Sequence, residues 1–96
     1  MNVHGYEVPE IALNAAREAM ASGDEFDTRA ISKVIGRHFP FPKGQMSREG
    51  YLTVCLDAAH RLVRESRSDL EVVRRGFHAF KHSYRWRDRP QSKEPR

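Results

Sequence analysis

Ninety-six residues, 39% hydrophobic and 31% charged, describe one small domain near the size at which a single core becomes self-sufficient. No apolar run approaches the ~18 residues of a membrane span. MNVHGYEVPE lacks the basic-then-apolar order of a secretion signal, and a lone cysteine, Cys55, excludes an intramolecular disulfide, so a reducing cytoplasmic setting is expected.

The net charge of +4 and pI near 9.6 are unevenly placed. Residues 1–48 hold six Lys/Arg and six Asp/Glu, whereas residues 49–96 hold eleven against seven. From Arg74 onward only Asp88 and Glu94 oppose the basic side chains. A basic end on a near-neutral body favours a polyanionic partner. A solvated, solubilising tail is the other reading of the same charges.

In chain order, His4–Val8 reads as a short lead-in, and Pro9 suits the first turn of a helix, where its missing N–H costs nothing. Ile11, Ala12, Ala15, Ala16, Ala19 and Met20 form a narrow apolar stripe, whose alanines imply close approach of a neighbouring element. Ser22-Gly23 ends this helix, with Gly23 suited to the left-handed position. After Asp24-Glu25-Phe26, with Phe26 turned inward, Asp27 or Thr28 caps a second helix carrying Ala30, Ile31, Val34 and Ile35. Phe39-Pro40-Phe41-Pro42 cannot continue it. Phe39 and Phe41 read as plugs beneath a loop that Lys43-Gly44-Gln45 completes; an exposed aromatic pair for a partner is the alternative.

Ser47–Arg67 is the longest amphipathic helix, capped by Ser47. Tyr51, Leu52, Cys55, Leu56, Ala59, Leu62 and Val63 are expected on its buried face, with Gly50, Thr53, Asp57, His60, Arg61 and Arg64 opposite. Cys55 reads as a small buried hydrophobe rather than a nucleophile.

Residues 70–84 support two readings. As a helix, Ser68-x-x-Glu71 is a capping box, and Leu70, Val73, Phe77, Phe80 and Tyr84 recur every three or four residues. As a hairpin, Leu70–Arg74 and Phe77–Lys81 flank Arg75-Gly76, with Leu70, Val72, Phe77 and Ala79 on one face. Periodicity favours the helix and hence an all-α four-helix bundle. Val72-Val73 and Gly76 favour the hairpin. Tyr84 and Trp86 read as packing residues at its end, and residues 87–96 as a flexible basic tail after a single domain over 1–86.

Four segments carry a resemblance: His4-Gly5-Tyr6-Glu7-Val8-Pro9, Phe26-Asp27-Thr28-Arg29-Ala30-Ile31, Ala58-Ala59-His60-Arg61-Leu62 and Arg74-Arg75-Gly76-Phe77. In this order the chain resembles short phage- or prophage-encoded winged helix-turn-helix proteins over most of residues 4–86. The connection from His38 to Gln45 departs from that pattern by being long and Pro-rich. The resemblance implies a mostly α fold with a small β-hairpin, α+β in class, with three helices and a C-terminal wing. Glu25-Phe26-Asp27 would then pair with the wing.

The resemblance also implies a non-enzymatic, regulatory protein bound to double-stranded DNA, with helix 47–67 in the major groove. Gln45, Ser47, Arg48 and Thr53 are then candidates to read base edges. Arg61, Arg64, Arg74, Arg75 and Lys81 are candidates for phosphate contacts. Asp57 lies among them and would repel phosphate unless paired with Arg61 or Arg64.

The rival expectation is a protein-binding module, such as a phage-encoded factor that engages a host machine, using Thr53, Val54, Asp57 and the Phe39/Phe41 loop. A homodimer through the first helix is compatible with either. No catalytic motif, cofactor or metal site is expected. His78 and His82 at i, i+4 read as surface histidines, and Asp57 and His60 as a surface hydrogen bond.

Overall fold

A computed structural model describes residues 1–76 and 81–87. It contains β1 (Asn2–Val3), β2 (Tyr6–Glu7), α1 (Glu10–Met20), β3 (Phe26–Asp27), α2 (Thr28–Arg37), α3 (Arg48–Glu65), β4 (Leu70–Arg74) and β5 (Ser83–Trp86). The fold is α+β: three helices, a two-stranded sheet β1-β2, and a three-stranded antiparallel sheet in the order β3-β5-β4. Residues 70–74 are a strand, so a four-helix bundle does not form. Ser68 lies in a single 3₁₀ turn, Arg67–Asp69, instead of capping a fourth helix.

Helices α2 and α3 begin where side chains supply acceptors, whereas α1 follows Pro9 with no side-chain cap. The Ala30 N–H donates to Asp27 Oδ1 at 2.8 Å, and the Gly50 N–H to Ser47 Oγ at 3.0 Å. Each bond satisfies one of the donors a helix start leaves open. Gly23, at φ +100°, follows the last turn of α1.

The buried faces are rotated from the expected ones. On α1 the core side chains are Ala12, Leu13, Ala16 and Met20, while Ile11 is 64% exposed. On α3 they are Val54, Cys55, Ala58, Ala59, Leu62 and Val63, while Leu52 is 54% exposed and Leu56 half-buried. The cause is that α3 packs against α2, α1 and β1 together. Its covered arc is therefore wider than a single partner would make it, and it turns toward Val54 and Ala58.

Antiparallel pairing fixes the sheet. Leu70 lies opposite Trp86, Glu71 opposite Arg85, and Val72 opposite Tyr84, with Val73 bulged before Arg74 meets Ser83. Leu70, Val72, Tyr84 and Trp86 share the inward face, and Phe26 joins them across from Tyr84. On the outward face Arg85 Nε and Nη2 both donate to Glu71 Oε2, at 3.1 and 2.8 Å. The second strand is thus Ser83–Trp86 and not Phe77–Lys81. Phe77–Phe80 lie outside the described residues. Pairing of the segment around Phe26 with this hairpin is as expected.

The connection between α2 and α3 is organised by one side chain. Tyr51 Oη lies 2.7 Å from the Phe39 carbonyl oxygen and 3.2 Å from that of Gly36, donating its one proton between them. The Phe39 ring packs tilted against the Tyr51 ring at a centroid distance of 5.5 Å, and the Phe41 ring packs edge-on at 5.2 Å. Phe39 is buried, which makes it a core plug as expected.

Burial pushes the Tyr51 hydroxyl and the neighbouring Cys55 thiol above their ordinary values. The folded state therefore favours both neutral forms. The unfolded chain ionises first as pH rises, so stability held below about pH 8.5 to 10 falls above it. Tyr51→Phe removes the hydroxyl and is expected to cost about 1–2 kcal/mol at neutral pH. Urea unfolding should also show a shallower alkaline loss in this variant than in the parent chain. Equal alkaline slopes would contradict the assignment.

Candidate nucleic-acid interface

The start of α3 carries the polar residues expected to read base edges, but local bonding engages two of them. Ser47 Oγ accepts the Gly50 N–H, and Thr53 Oγ1 donates to the Glu49 carbonyl at 3.0 Å. Gln45 and Arg48 are exposed, and the Gln45 carbonyl accepts from Tyr6 Oη at 2.9 Å.

That bond belongs to an element absent from the sequence reading. Residues 2–7 are a hairpin rather than a lead-in, with Asn2 opposite Glu7 and Val3 opposite Tyr6. His4 and Gly5 form the turn with φ +53° and +83°, the left-handed pair that a two-residue hairpin requires. The Asn2 side-chain oxygen accepts the Gly5 N–H. Val3 and Val8 are fully buried, so the hairpin is anchored in the core.

The same hairpin resolves the acidic residue on α3. Asp57 Oδ2 pairs with His4 Nε2 at 2.5 Å, and Arg61 Nη1 donates to the Asn2 carbonyl at 2.9 Å. Asp57 thus has a partner other than Arg61, Arg64 or His60. The contact joins the turn of the hairpin to the outer face of α3. Between hairpin and helix lies an open cleft of about 300 Å³ lined by His4, Tyr6, Met46, Ser47, Gly50, Thr53 and Val54. Of the residues expected at a protein interface, Val54 and Phe39 are buried, Thr53 is exposed, and Asp57 and Phe41 are half-buried.

The five cations expected to contact phosphate are not equivalent. Arg61 bonds the hairpin backbone, and Arg74 Nη2 pairs with Glu25 Oε2 at 3.3 Å. Arg64, Arg75 and Lys81 form no ion pair among the described residues. Arg64 stands on the last turn of α3, near the base of β4, whereas Arg74, Arg75 and Lys81 stand at the far end of that strand. β4, five residues and roughly 17 Å long, lies between them along the chain.

At the far end of β4, Gly76 lies close to Lys81 and His82. The Gly76 N–H donates to His82 Nδ1 at 3.1 Å, and a Cβ on Gly76 would lie 2.6 Å from the Lys81 carbonyl oxygen. Only glycine permits this approach, which brings Arg75 and Lys81 to the same tip. His82 is thus tied to the loop backbone, and His78 lies outside the described residues.

Arg67 and Arg87 are tied to the backbone at the start of β4. Arg67 Nη1 and Arg87 Nε both donate to the Leu70 carbonyl at 3.2 Å. The Arg67 guanidinium also sits 5.7 Å from the Tyr84 ring centre. No helix among the described residues is long and apolar enough to cross a membrane. Sequence reasoning passed over Arg29 and Lys33 of α2, which line a second groove with Leu52 and Leu56.

If the His4–Asp57 pair holds the hairpin down, Asp57→Ala should speed amide exchange over residues 2–7 while α3 stays protected. The pair is half-exposed, so the global cost should stay below about 1 kcal/mol. Unchanged exchange in the hairpin would show that Val3 and Val8 alone hold it. Comparison of the chain with protein-family models, curated proteins and solved structures finds no match in any of the three.

Proposed function

We propose that the chain is a small, non-enzymatic DNA-binding protein of winged-helix type, cytoplasmic and regulatory, that grips duplex DNA mainly through its wing. The observation that carries this reading is the tip of the β4–β5 hairpin. There, the close approach of Gly76 to Lys81 puts two exposed cations, Arg75 and Lys81, on the same end of the hairpin, and neither forms an ion pair among the described residues. Such cations release counterions on meeting phosphate and need no particular base sequence to do so. Support also comes from the order of elements, three helices followed by a hairpin whose second strand pairs with the strand before α2.

On this reading α3 contributes position more than sequence discrimination. Its outward residues include Glu49, Leu52 and Leu56, and two of its four base-reading candidates are bonded locally. Gln45 and Arg48 keep exposed side chains for the groove, and Arg64 can reach a backbone further along. A phage-encoded origin stays part of the proposal, as does a homodimer. A second reading, a protein-interaction module, is favoured by the exposure of Leu52.

The test is fluorescence anisotropy with short random duplexes over roughly 50 to 200 mM salt. Affinity should fall steeply with salt, and affinities for unrelated sequences should lie close together. Reversing both tip charges, Arg75→Glu with Lys81→Glu, should weaken binding on every sequence and lower the logarithmic salt slope by about 2. Absence of binding at low salt, or unchanged affinity in the double variant, would overturn the proposal.

A further inference from the structure

A groove between the outer faces of α2 and α3 has about 290 Å³ of space and is lined by Arg29, Ser32, Lys33, Leu52 and Leu56. Two ladders run along it. Arg29 and Lys33 are one turn apart on α2, and Leu52 and Leu56 are one turn apart on α3. Leu52 is the most exposed leucine among the described residues, at 54%. Neither Arg29 nor Lys33 forms an ion pair among the described residues, and none of the groove's lining residues is acidic.

We infer that this groove docks an acidic amphipathic helix of a partner protein, with apolar side chains on Leu52 and Leu56 and carboxylates on Arg29 and Lys33. The charge and the apolar ladder each select for it. Apolar anchors at i and i+4 on an incoming helix match the spacing of the two leucines. Carboxylates on its adjacent face meet two cations with no competing acid in the groove lining. A nucleic-acid backbone suits the same surface poorly, because it would cover two leucines while leaving them nothing apolar to bury. The one hydroxyl in the groove, Ser32 Oγ, donates to the Arg29 carbonyl at 2.7 Å rather than outward. None of the wing residues takes part, so the docking does not depend on the wing's contact with DNA.

The test is selection from a displayed library of random peptides on the intact chain, with counter-selection on Leu52→Glu. Leu52 is exposed, so this variant is expected to keep the parent fold, which its amide spectrum would verify. Enriched peptides should carry Leu, Ile, Met or Phe at i, i+4 with Asp or Glu on the neighbouring face. They should bind the parent chain at least about tenfold tighter than Leu52→Glu. They should lose a similar factor on Arg29→Glu with Lys33→Glu, and regain it when their own acids are changed to lysine. Amide shifts should map to residues 29–33 and 52–56, and Arg75→Glu should leave peptide affinity unchanged. No enrichment over the counter-selected pool, acid-free winners, equal binding to both variants, or displacement of the peptides by random duplex would each overturn the inference. The last outcome would assign the groove to the DNA face. Wing-charge dependence of duplex binding is read separately, so each proposal can fail without the other.

Discussion

The Tyr51 hydroxyl is the contact on which the arrangement of helices depends. A connection from His38 to Ser47 that holds two prolines and two phenylalanines has no helix or strand bonding of its own to fix its path. Tyr51 reaches back from the first turn of α3 to the last turn of α2 and the loop just beyond it, so both ends of the loop are tied to one side chain. The rings of Phe39 and Phe41 close around it. Gly36 completes the fit, since a Cβ there would stand 3.3 Å from the hydroxyl. A long loop can therefore join two tightly packed helices, because the restraint comes from a side chain rather than from a short turn.

Once α3 is held this way, its surroundings decide what it can present. Two helices cover one side and the residue 2–7 hairpin another. Asp57 and Arg61 serve the hairpin, and Ser47 and Thr53 serve the helix's own backbone. What remains outward is a leucine ladder beside α2 and a few isolated charges. At the far end of β4, by contrast, Arg75 and Lys81 form no ion pair among the described residues. Helix and hairpin thus present chemically different surfaces, and the two proposals rest on different ones.

Much of this is legible in the residues, and the failures have specific causes. Capping signals at Asp27 and Ser47 place two helix starts, because a side-chain acceptor before an apolar run has a local physical meaning. Alternation at Leu70 and Val72 places a strand. Its partner escapes notice although Ser83-Tyr84-Arg85-Trp86 alternates polar and aromatic, since the nearer Phe77–Lys81 offers a tighter turn. The N-terminal hairpin is hidden because a histidine is not credited with the left-handed conformation that His4 adopts. Helix faces are misjudged at Leu13, Val54 and Ala58 because a helical wheel assumes one covering partner. The candidate site suffers most. Whether an arginine is available depends on neighbours distant in sequence, such as Asn2 for Arg61 and Glu25 for Arg74.

The β3-β5 pairing bears on how the chain is made. Phe26 is covered by Tyr84, close to the last residue described, whereas α1, α2 and α3 are consecutive and pack on one another. During vectorial synthesis the three helices can associate as soon as they emerge, but the central strand of the sheet arrives last. Until then Phe26 and Leu70 lack their cover, and the nascent chain shows an apolar edge that the finished molecule hides. Truncation before Tyr84 would leave that edge open permanently, so shortened products of this chain should aggregate rather than persist as helical fragments.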